Sequence, residues 1–240
     1  MTKVHLLFKK EEINEEKIDG KIAVVFDVLL ATSTITAALT DGVKEVVPVL
    51  NREEAESESL GRQEGTFLIA GEHEGKAIEN FHEPNPVKLK KLVAGKTMIL
   101  STTNGTVAVR KASTAKKVYI SSLLNGKAAA EEIVTNHADE TVVLICSGSS
   151  GEFCIEDFYG AGYFIDCLMK KEESFPELTD AAYAAYLFYE RQKDESEKVL
   201  LQSRVGQMLA ASGYGEEVRF VADCGALTVV PYLHGKKIIV

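Results

Sequence analysis

Continuous apolar runs alternate with stretches of helical spacing between residues 22 and 146. The runs are rich in β-branched residues, which is typical of strands covered on both faces of a sheet. They predict strands over 22–28, 45–50, 66–70, 97–101, 117–121 and 141–146, with helices over 33–40, 52–63, 87–93, 106–112 and 126–137. This alternation indicates an α/β sandwich with a largely parallel sheet and right-handed crossovers.

The pattern changes after residue 154. Helical spacing now predicts three successive helices, over 155–171, 179–193 and 195–212, so that the segment 155–212 forms either a cap or a further layer of the same domain. Strand-like runs return at 218–222, 227–233 and 236–240. Because no Pro/Gly/Ser-rich linker separates these parts, we expect a single domain over residues 1–240.

Composition excludes several classes of protein. A chain of 240 residues that is 45% hydrophobic buries a full core. The net charge of −9, with no stripe of Lys and Arg, argues against a nucleic-acid partner. No run approaches the about 18 apolar residues of a membrane span, and no leader with a cleavage site is evident. Four cysteines without C-x-x-C spacing are expected to be reduced, so we expect a cytoplasmic protein.

Three segments repeat one design, in which an apolar run delivers hydroxyls, glycines and backbone N–H groups to the start of a helix. The helix dipole and the unpaired N–H groups there favour an oxyanion. The same residue types also cap helices and turns that bind nothing, and this alternative stays open. The design predicts phosphate contacts from Thr32, Ser33, Thr34, Thr102, Thr103, Asn104, Gly105, Thr106, Ser147, Gly148 and Gly151.

Carboxylates accompany these segments. Asp27 closes an apolar run, Glu156 and Asp157 lie in the first turn of a predicted helix, and Glu72 lies in a long polar loop over 71–86. Acids at a helix start are favoured even without a ligand, but together these oxygens are the ligands that Mg²⁺ prefers. We therefore predict Asp27, Glu156 and Asp157 as catalytic residues, and Asp27, Glu72 and Asp157 as ligands of Mg²⁺.

Several other phosphate chemistries are excluded by inspection. The chain has no G-x-x-x-x-G-K-[ST] loop, no G-x-S-x-G elbow and no zinc spacing among its histidines. Leu29 stands two residues after Asp27, where an aspartyl-phosphate hydrolase has a second aspartate. Glu152 stands six residues after Cys146, where a cysteine-dependent phosphatase has an arginine. With no obvious nucleophile, direct attack by a metal-oriented water is favoured.

These motifs resemble the magnesium-dependent 2-phosphosulfolactate phosphatases. The resemblance spans most of the chain and lies at residues 25–34, 70–72, 93–97, 102–106, 121–125, 151–157, 161–162 and 230–231. It implies a three-layer α/β/α sandwich with a mixed sheet. It also implies hydrolysis of 2-phosphosulfolactate to sulfolactate and phosphate, a step of coenzyme M biosynthesis, with Mg²⁺ as cofactor.

The chain departs from the family pattern at charged positions. Leu30, His73 and Gln207 stand where arginines are expected, and His82 replaces an aspartate. Arginine is the side chain best suited to bidentate oxyanion contacts, so the substrate loses anchors. Lys127, Arg110 and Arg204 are the candidates for a compensating charge.

The expected partner is a small phosphorylated anionic substrate, with no nucleic acid and no membrane; a homo-oligomer is left open. Two alternatives also stay open. The first is a phosphatase for another phosphorylated 2-hydroxy acid, and the second is a non-catalytic, metal-dependent protein that binds small anions.

Overall fold

The apolar runs of the sequence form one mixed sheet in the computed structural model, which describes residues 3–171 and 176–240. The predicted strands up to residue 146 are all present, within a few residues of their expected bounds. The strands are β1 Lys3–Leu7, β2 Ile22–Phe26, β3 Glu45–Val49, β4 Phe67–His73, β5 Lys76–Ala77, β6 Thr97–Ser101, β7 Lys117–Ser121, β8 Thr141–Cys146, β9 Glu177–Leu178, β10 Tyr232–His234 and β11 Lys237–Ile239.

Helices follow most of these strands, as the alternation predicted. They are α1 Glu15–Ile18, α2 Ala31–Thr40, α3 Arg52–Ser59, α4 Pro86–Leu89, α5 Gly105–Lys111, α6 Gly126–Asn136, α7 Ile155–Lys171, α8 Asp180–Arg191, α9 Ser196–Gln202, α10 Arg204–Ala211 and α11 Gly215–Val221, with short 3₁₀ turns at Lys10–Glu12 and Ala112–Thr114. Within 3–171 and 176–240, none of the helices combines the length and the apolar character needed to cross a bilayer.

The strand order is β5-β4-β6-β3-β11-β10-β7-β2-β8-β1-β9. The strands β4, β6 and β3 pair in parallel, and so do β7, β2, β8, β1 and β9. The hairpin β10–β11 is antiparallel to its neighbours and joins the two parallel groups. Its tight turn passes through Gly235 at a φ of 60°, a conformation that glycine adopts without steric cost.

Strand β2 explains why the strand signal was continuous rather than alternating. Phe26 and its even-numbered neighbours in β2 lie in a core shared with α6, α7 and α8. Ala23 and Val25 lie in a second core shared with α2, α5 and the strands β3, β4 and β6. Since both faces of the strand are buried, every position is apolar. This arrangement confirms the predicted α/β sandwich with a mixed, largely parallel sheet and helices on both faces.

The C-terminal third differs from the sequence prediction in three places. The helix expected over 195–212 is divided, because Ser203 has an extended backbone and its Oγ caps α10 by accepting the Gly206 N–H. The strand expected over 218–222 is wrong. Val218 and Val221 are three residues apart on the buried face of α11, and acids fill that helix's first turn. Of the strand expected over 227–233, only the end lies in β10.

The sequence prediction also missed the first strand. Residues 3–7 form β1, which pairs in parallel with β8 along its whole length. Its burial alternates, with Val4 and Leu6 facing the core that contains α7. Five residues with half-buried flanks give a weak periodic signal, so this strand depends on its pairing with β8 rather than on local pattern.

Gly162 sets the distance between α7 and α8. A Cβ at this position would lie 2.7 Å from the Tyr189 Cβ and still closer to the Ala185 carbonyl oxygen. We expect Gly162→Ala to cost about 2 kcal/mol of unfolding free energy, because overpacking outweighs the gain in helix propensity. Urea unfolding followed by circular dichroism measures it. Gly215→Ala in α11, where the added Cβ meets only an Arg219 nitrogen at 3.9 Å, is the matched control and should lose nothing.

Candidate functional site

The ends of β2, β4, β6 and β8 meet around a cavity of about 200 Å³. Helix α10 and the loop after it complete its lining. The charged residues of the lining are strongly unbalanced in sign. They are the acids Asp27, Glu72, Glu74, Glu83, Glu156 and Asp157 and the single cation Arg204. We call Asp27, Glu72, Glu156 and Asp157 the carboxylate cluster.

Asp27 follows β2 directly and is only 7% exposed. Its carboxylate accepts a long hydrogen bond of 3.5 Å from the Ala31 N–H and another from the Gly105 N–H. Gly105 must be a glycine here, since a Cβ would lie 2.7 Å from Asp27 Oδ2. Burial, and then the negative charges of Glu72 and Glu156, raise the pKa of Asp27 to about 7. The carboxylate thus holds a proton more tightly than an exposed aspartate does.

Asp157 connects two of the strand ends. It lies in the first turn of α7 and is buried. Its Oδ1 accepts the Val28 N–H at 2.8 Å, and its Oδ2 accepts the Gly148 N–H at 3.1 Å. Burial, followed by the charges of Asp27 and Glu156, raises its pKa. Each oxygen retains a further lone pair, so this residue fixes the two loops and still offers acceptor capacity to a ligand.

Glu72 plays the same part for the next pair of loops. Its Oε1 accepts the Thr103 N–H at 2.6 Å, and its Oε2 accepts the Gly75 N–H at 2.7 Å. Thr103 adds a second link between the same loops, because its Oγ1 accepts the Glu74 N–H at 2.8 Å. The loop after β6 is therefore tied to the β4–β5 turn through a carboxylate that also lines the cavity.

Glu156 is the fourth member of the carboxylate cluster. It is 2% exposed, and the side chains of Cys154 and Ser203 are its hydrogen-bonding neighbours. Burial raises its pKa. A buried carboxyl with a raised pKa, on the surface of a cavity, is suited to accept and release a proton.

The loop after β6 is held by reciprocal hydrogen bonds. Thr102 Oγ1 accepts the Thr106 N–H at 3.0 Å, and Thr106 Oγ1 accepts the Thr102 N–H at 3.0 Å. Asn104 accepts a hydrogen bond from the buried Lys10 Nζ at 2.7 Å. Thr102, Thr103 and Asn104 line the cavity, whereas Gly105 and Thr106 lie behind them.

The predicted hydroxyls of α2 do not reach the cavity lining. Thr32 Oγ1 donates to the Asp27 carbonyl at 2.9 Å, and Ser33 Oγ donates to the Val28 carbonyl at 2.8 Å. Thr34 Oγ1 donates to the Pro84 carbonyl at 2.8 Å. All three are buried; Thr32 and Ser33 hold the turn after β2, and Thr34 holds the segment before α4. None of them caps α2, because its N-cap is Leu30, which has no side-chain cap hydrogen bond. Their role as phosphate ligands stays a prediction.

The predicted residues thus fall into two groups. Those on the cavity surface are Asp27, Glu72, Thr102, Thr103, Asn104, Gly148, Glu156 and Asp157, and those outside its lining are Thr32, Ser33, Thr34, Gly105, Thr106, Ser147 and Gly151. The sequence prediction missed the apolar part of the lining. It consists of Val205, Met208 and Leu209 on α10 and of Tyr214 in the loop that follows α10. For the residues on α10, the only signal was the alternative that the helical segment 155–212 forms a cap; Tyr214 lies beyond that segment and had no signal.

The carboxylate cluster suits a hard divalent cation. Across the described ranges, no three or more His, Cys, Asp or Glu side chains form a group able to hold a metal ion. Magnesium needs no such cage, since it usually takes one or two carboxylates and completes its shell with water and substrate oxygens. The donor set consists of carboxylate oxygens. Burial, and then the negative charges of Glu72 and Glu156, raise the pKa of Asp27, and a cation would relieve both effects. The Mg²⁺ site itself stays a prediction.

Comparison with known proteins shows to which family the chain is similar. The family model described as 2-phosphosulpholactate phosphatase matches residues 7–236. A relative from Clostridium acetobutylicum, named "Probable 2-phosphosulfolactate phosphatase", is 43% identical over 196 residues, which are 80% of this chain and 81% of the relative. Relatives of the same name from Clostridium novyi and Clostridium perfringens are 34% and 37% identical, and cover 98% and 95% of this chain and 99% and 92% of their own.

The raised pKa of Asp27 predicts that the free energy of unfolding of the metal-free protein depends on pH. Between its ordinary pKa of 3.8 and about 7, the unfolded chain releases this proton and the folded chain keeps it. Rising pH therefore favours unfolding over that window, and the effect levels off above it. We expect Asp27→Asn to gain stability over the unmodified protein as pH rises, by up to about 1.4 kcal/mol per pH unit.

Urea unfolding at several pH values, in the presence of a chelator, measures this difference. Asp139→Asn is the matched control, because Asp139 is exposed and gains nothing from losing its charge. A constant difference between Asp27→Asn and the unmodified protein from pH 4 to 7 contradicts the expectation.

Proposed function

We propose that this chain, which belongs to the 2-phosphosulfolactate phosphatase family, hydrolyses 2-phosphosulfolactate to sulfolactate and phosphate with the help of Mg²⁺. It is thus a phosphoric monoester hydrolase. The observation that carries the proposal is the carboxylate cluster, which faces one cavity together with the N–H-rich loops after β6 and β8.

The charge of the cavity supports the dependence on a cation. The substrate carries a phosphate, a sulfonate and a carboxylate, whereas the cavity lining has six acids and one arginine. Like charges at close range in a partly dry site repel strongly. A divalent cation would attract both the substrate anions and the acidic side chains of the lining. The acidic lining would then favour substrate binding instead of opposing it.

The oxygens proposed to hold Mg²⁺ belong to Asp27, Glu72 and Asp157; one or two of these carboxylates would bind the ion directly, and water and substrate oxygens would complete its shell. When bound, the ion neutralises charge on the phosphoryl oxygens and polarises them toward attack. Glu72 and Asp157 also fix the loops through their backbone hydrogen bonds. The phosphate is then positioned by Thr102, Thr103, Asn104 and Gly148 on the cavity surface.

Glu156 is proposed to move the proton. The oxygen of a water bonds to phosphorus, and the bond from phosphorus to the lactate oxygen breaks. Glu156 accepts the proton that the water loses and returns it to the leaving oxygen, so that the products are an alcohol and phosphate. Burial raises the pKa of Glu156, which favours its taking up a proton and returning it.

Two further expectations complete the proposal. The partner is a small phosphorylated anion, since a cavity of about 200 Å³ fits a molecule of that size and not a polymer. We place the enzyme in the cytoplasm because the four cysteines, Cys146, Cys154, Cys167 and Cys224, are free thiols, as a reducing compartment keeps them.

Phosphate release tests the proposal directly. The purified chain with 2-phosphosulfolactate should release phosphate on addition of Mg²⁺ and stop on addition of a chelator. Asp27→Asn should abolish the stimulation by Mg²⁺, and Glu156→Gln should lower kcat by about 100-fold or more. Asp139→Asn, at an exposed position outside the cavity, should behave as the unmodified enzyme.

Circular dichroism establishes that each variant is folded. A folded protein that binds Mg²⁺ and 2-phosphosulfolactate in calorimetry without releasing phosphate would instead be a binding protein. Release from other phosphorylated 2-hydroxy acids but not from this one would correct the substrate. A wild-type rate for Asp27→Asn or Glu156→Gln would remove that residue from the mechanism.

A further inference from the structure

Arg204 is the only Lys or Arg among the described residues that line the cavity. It lies at the first position of α10, and the other charged side chains of the lining are acids. We infer that Arg204 binds the sulfonate of the substrate and so sets the preference for sulfonated over unsulfonated phosphoesters. The inference rests on the proposed function, since it assigns one part of that substrate to one side chain.

The other two candidates for a compensating charge are placed elsewhere. Arg110 is paired with Glu54 at 2.6 Å, donates to the Pro48 carbonyl at 3.2 Å and is not part of the cavity lining. Lys127 lies on α6 beside Gly225 and is not part of the cavity lining. The sequence alone could not rank the three candidates, and the structure shows that of these only Arg204 lines the cavity.

The backbone of Arg204 is held firmly while its side chain keeps free donors. Ser203 is buried, and its Oγ caps the helix by accepting the Gly206 N–H at 2.9 Å. Gly206 packs against the Leu200 carbonyl so closely that a Cβ would overlap it. The guanidinium uses one N–H on the Ser149 carbonyl, from Nη2 at 3.2 Å. With respect to residues 3–171 and 176–240, four of its five N–H groups are left for a ligand.

Chemistry separates the three anionic groups of the substrate. Phosphate and carboxylate oxygens are hard, basic ligands, which compete well for a divalent cation. A sulfonate is much less basic and is a poor ligand for the cation, but it remains fully charged at any physiological pH. The planar guanidinium donates paired N–H groups to such an oxyanion. Arg204 therefore binds the sulfonate, whereas the phosphate and the carboxylate of the substrate bind at the carboxylate cluster through a cation.

Gln207, which stands where an arginine is expected in the family, cannot replace Arg204 as a sulfonate ligand. Gln207 is exposed, donates to the Gln202 carbonyl at 2.8 Å and does not line the cavity. Leu30 does line it, but offers no donor. Among these positions, Arg204 alone presents a positive charge to a bound anion.

A pair of substrates tests the inference. We would compare 2-phosphosulfolactate with 2-phospholactate, which keeps the phosphate and the carboxylate and lacks the sulfonate. Arg204→Gln should raise KM for 2-phosphosulfolactate by about 10- to 100-fold, with a smaller effect on kcat, because a charge-assisted contact is lost. The ratio of kcat/KM for the sulfonated over the unsulfonated substrate should fall by at least about 10-fold.

Arg204→Lys should restore part of the preference for the sulfonated substrate, since lysine keeps the positive charge but lacks the paired N–H groups of the guanidinium. Arg219→Gln is the matched control, because Arg219 is an exposed arginine on α11 that pairs with Glu197 at 2.9 Å outside the cavity. It should leave the ratio unchanged. An equal loss on both substrates in Arg204→Gln overturns the inference, since the residue would then act on the phosphate, the carboxylate or the fold.

Binding of the product separates this inference from the proposed function. If the unmodified chain hydrolyses neither substrate, the proposed function is wrong, and calorimetry with sulfolactate and with lactate then tests Arg204. Sulfolactate binding that weakens about 10-fold or more in Arg204→Gln supports the inference. No binding to the unmodified chain, or equal binding to both chains, overturns it.

Discussion

The site depends on the repulsion between carboxylates that the fold buries side by side. Asp27, Glu156 and Asp157 are each less than a tenth exposed and come from two different strand–helix junctions. Taking a carboxylate out of water is costly, and doing so three times in one place adds mutual repulsion. The cost is visible as raised pKa values at all three. A protein retains such an arrangement when something that enters the cavity relieves it.

The same carboxylates are also the mechanical links of the site. Asp157 binds backbone N–H groups at the ends of β2 and β8, and Glu72 binds those of the loop after β6 and of the β4–β5 turn. The atoms proposed to bind the cation are therefore also the ones that hold the loops together. Any cation or substrate that moves one of these side chains also moves the backbone donors proposed to hold the phosphate.

The sequence predicted the parts of the molecule in which local pattern and tertiary environment agree. Strand β2 is apolar at every position because it is covered on both faces, and α7 has its predicted bounds because acids begin it and lysines end it. The acids and the loop after β6 reached the cavity as predicted. The hydroxyls of Thr32, Ser33 and Thr34 did not, because they donate to backbone carbonyls of the turn after β2 and of Pro84. The place of Arg204 depends on how α10 packs against α9, which no local pattern encodes.

The hairpin β10–β11 has a consequence for how the chain is made. It stands between β7 and β3, yet its residues follow every other strand in the order of synthesis. During translation the two parallel groups can each gather their own helices, but the hairpin that joins them is synthesised after both groups. Until it is made, β3 and β7 each present an open edge, a state in which strands pair with the wrong neighbour. The two halves of the sheet are therefore joined late, by residues 232–239.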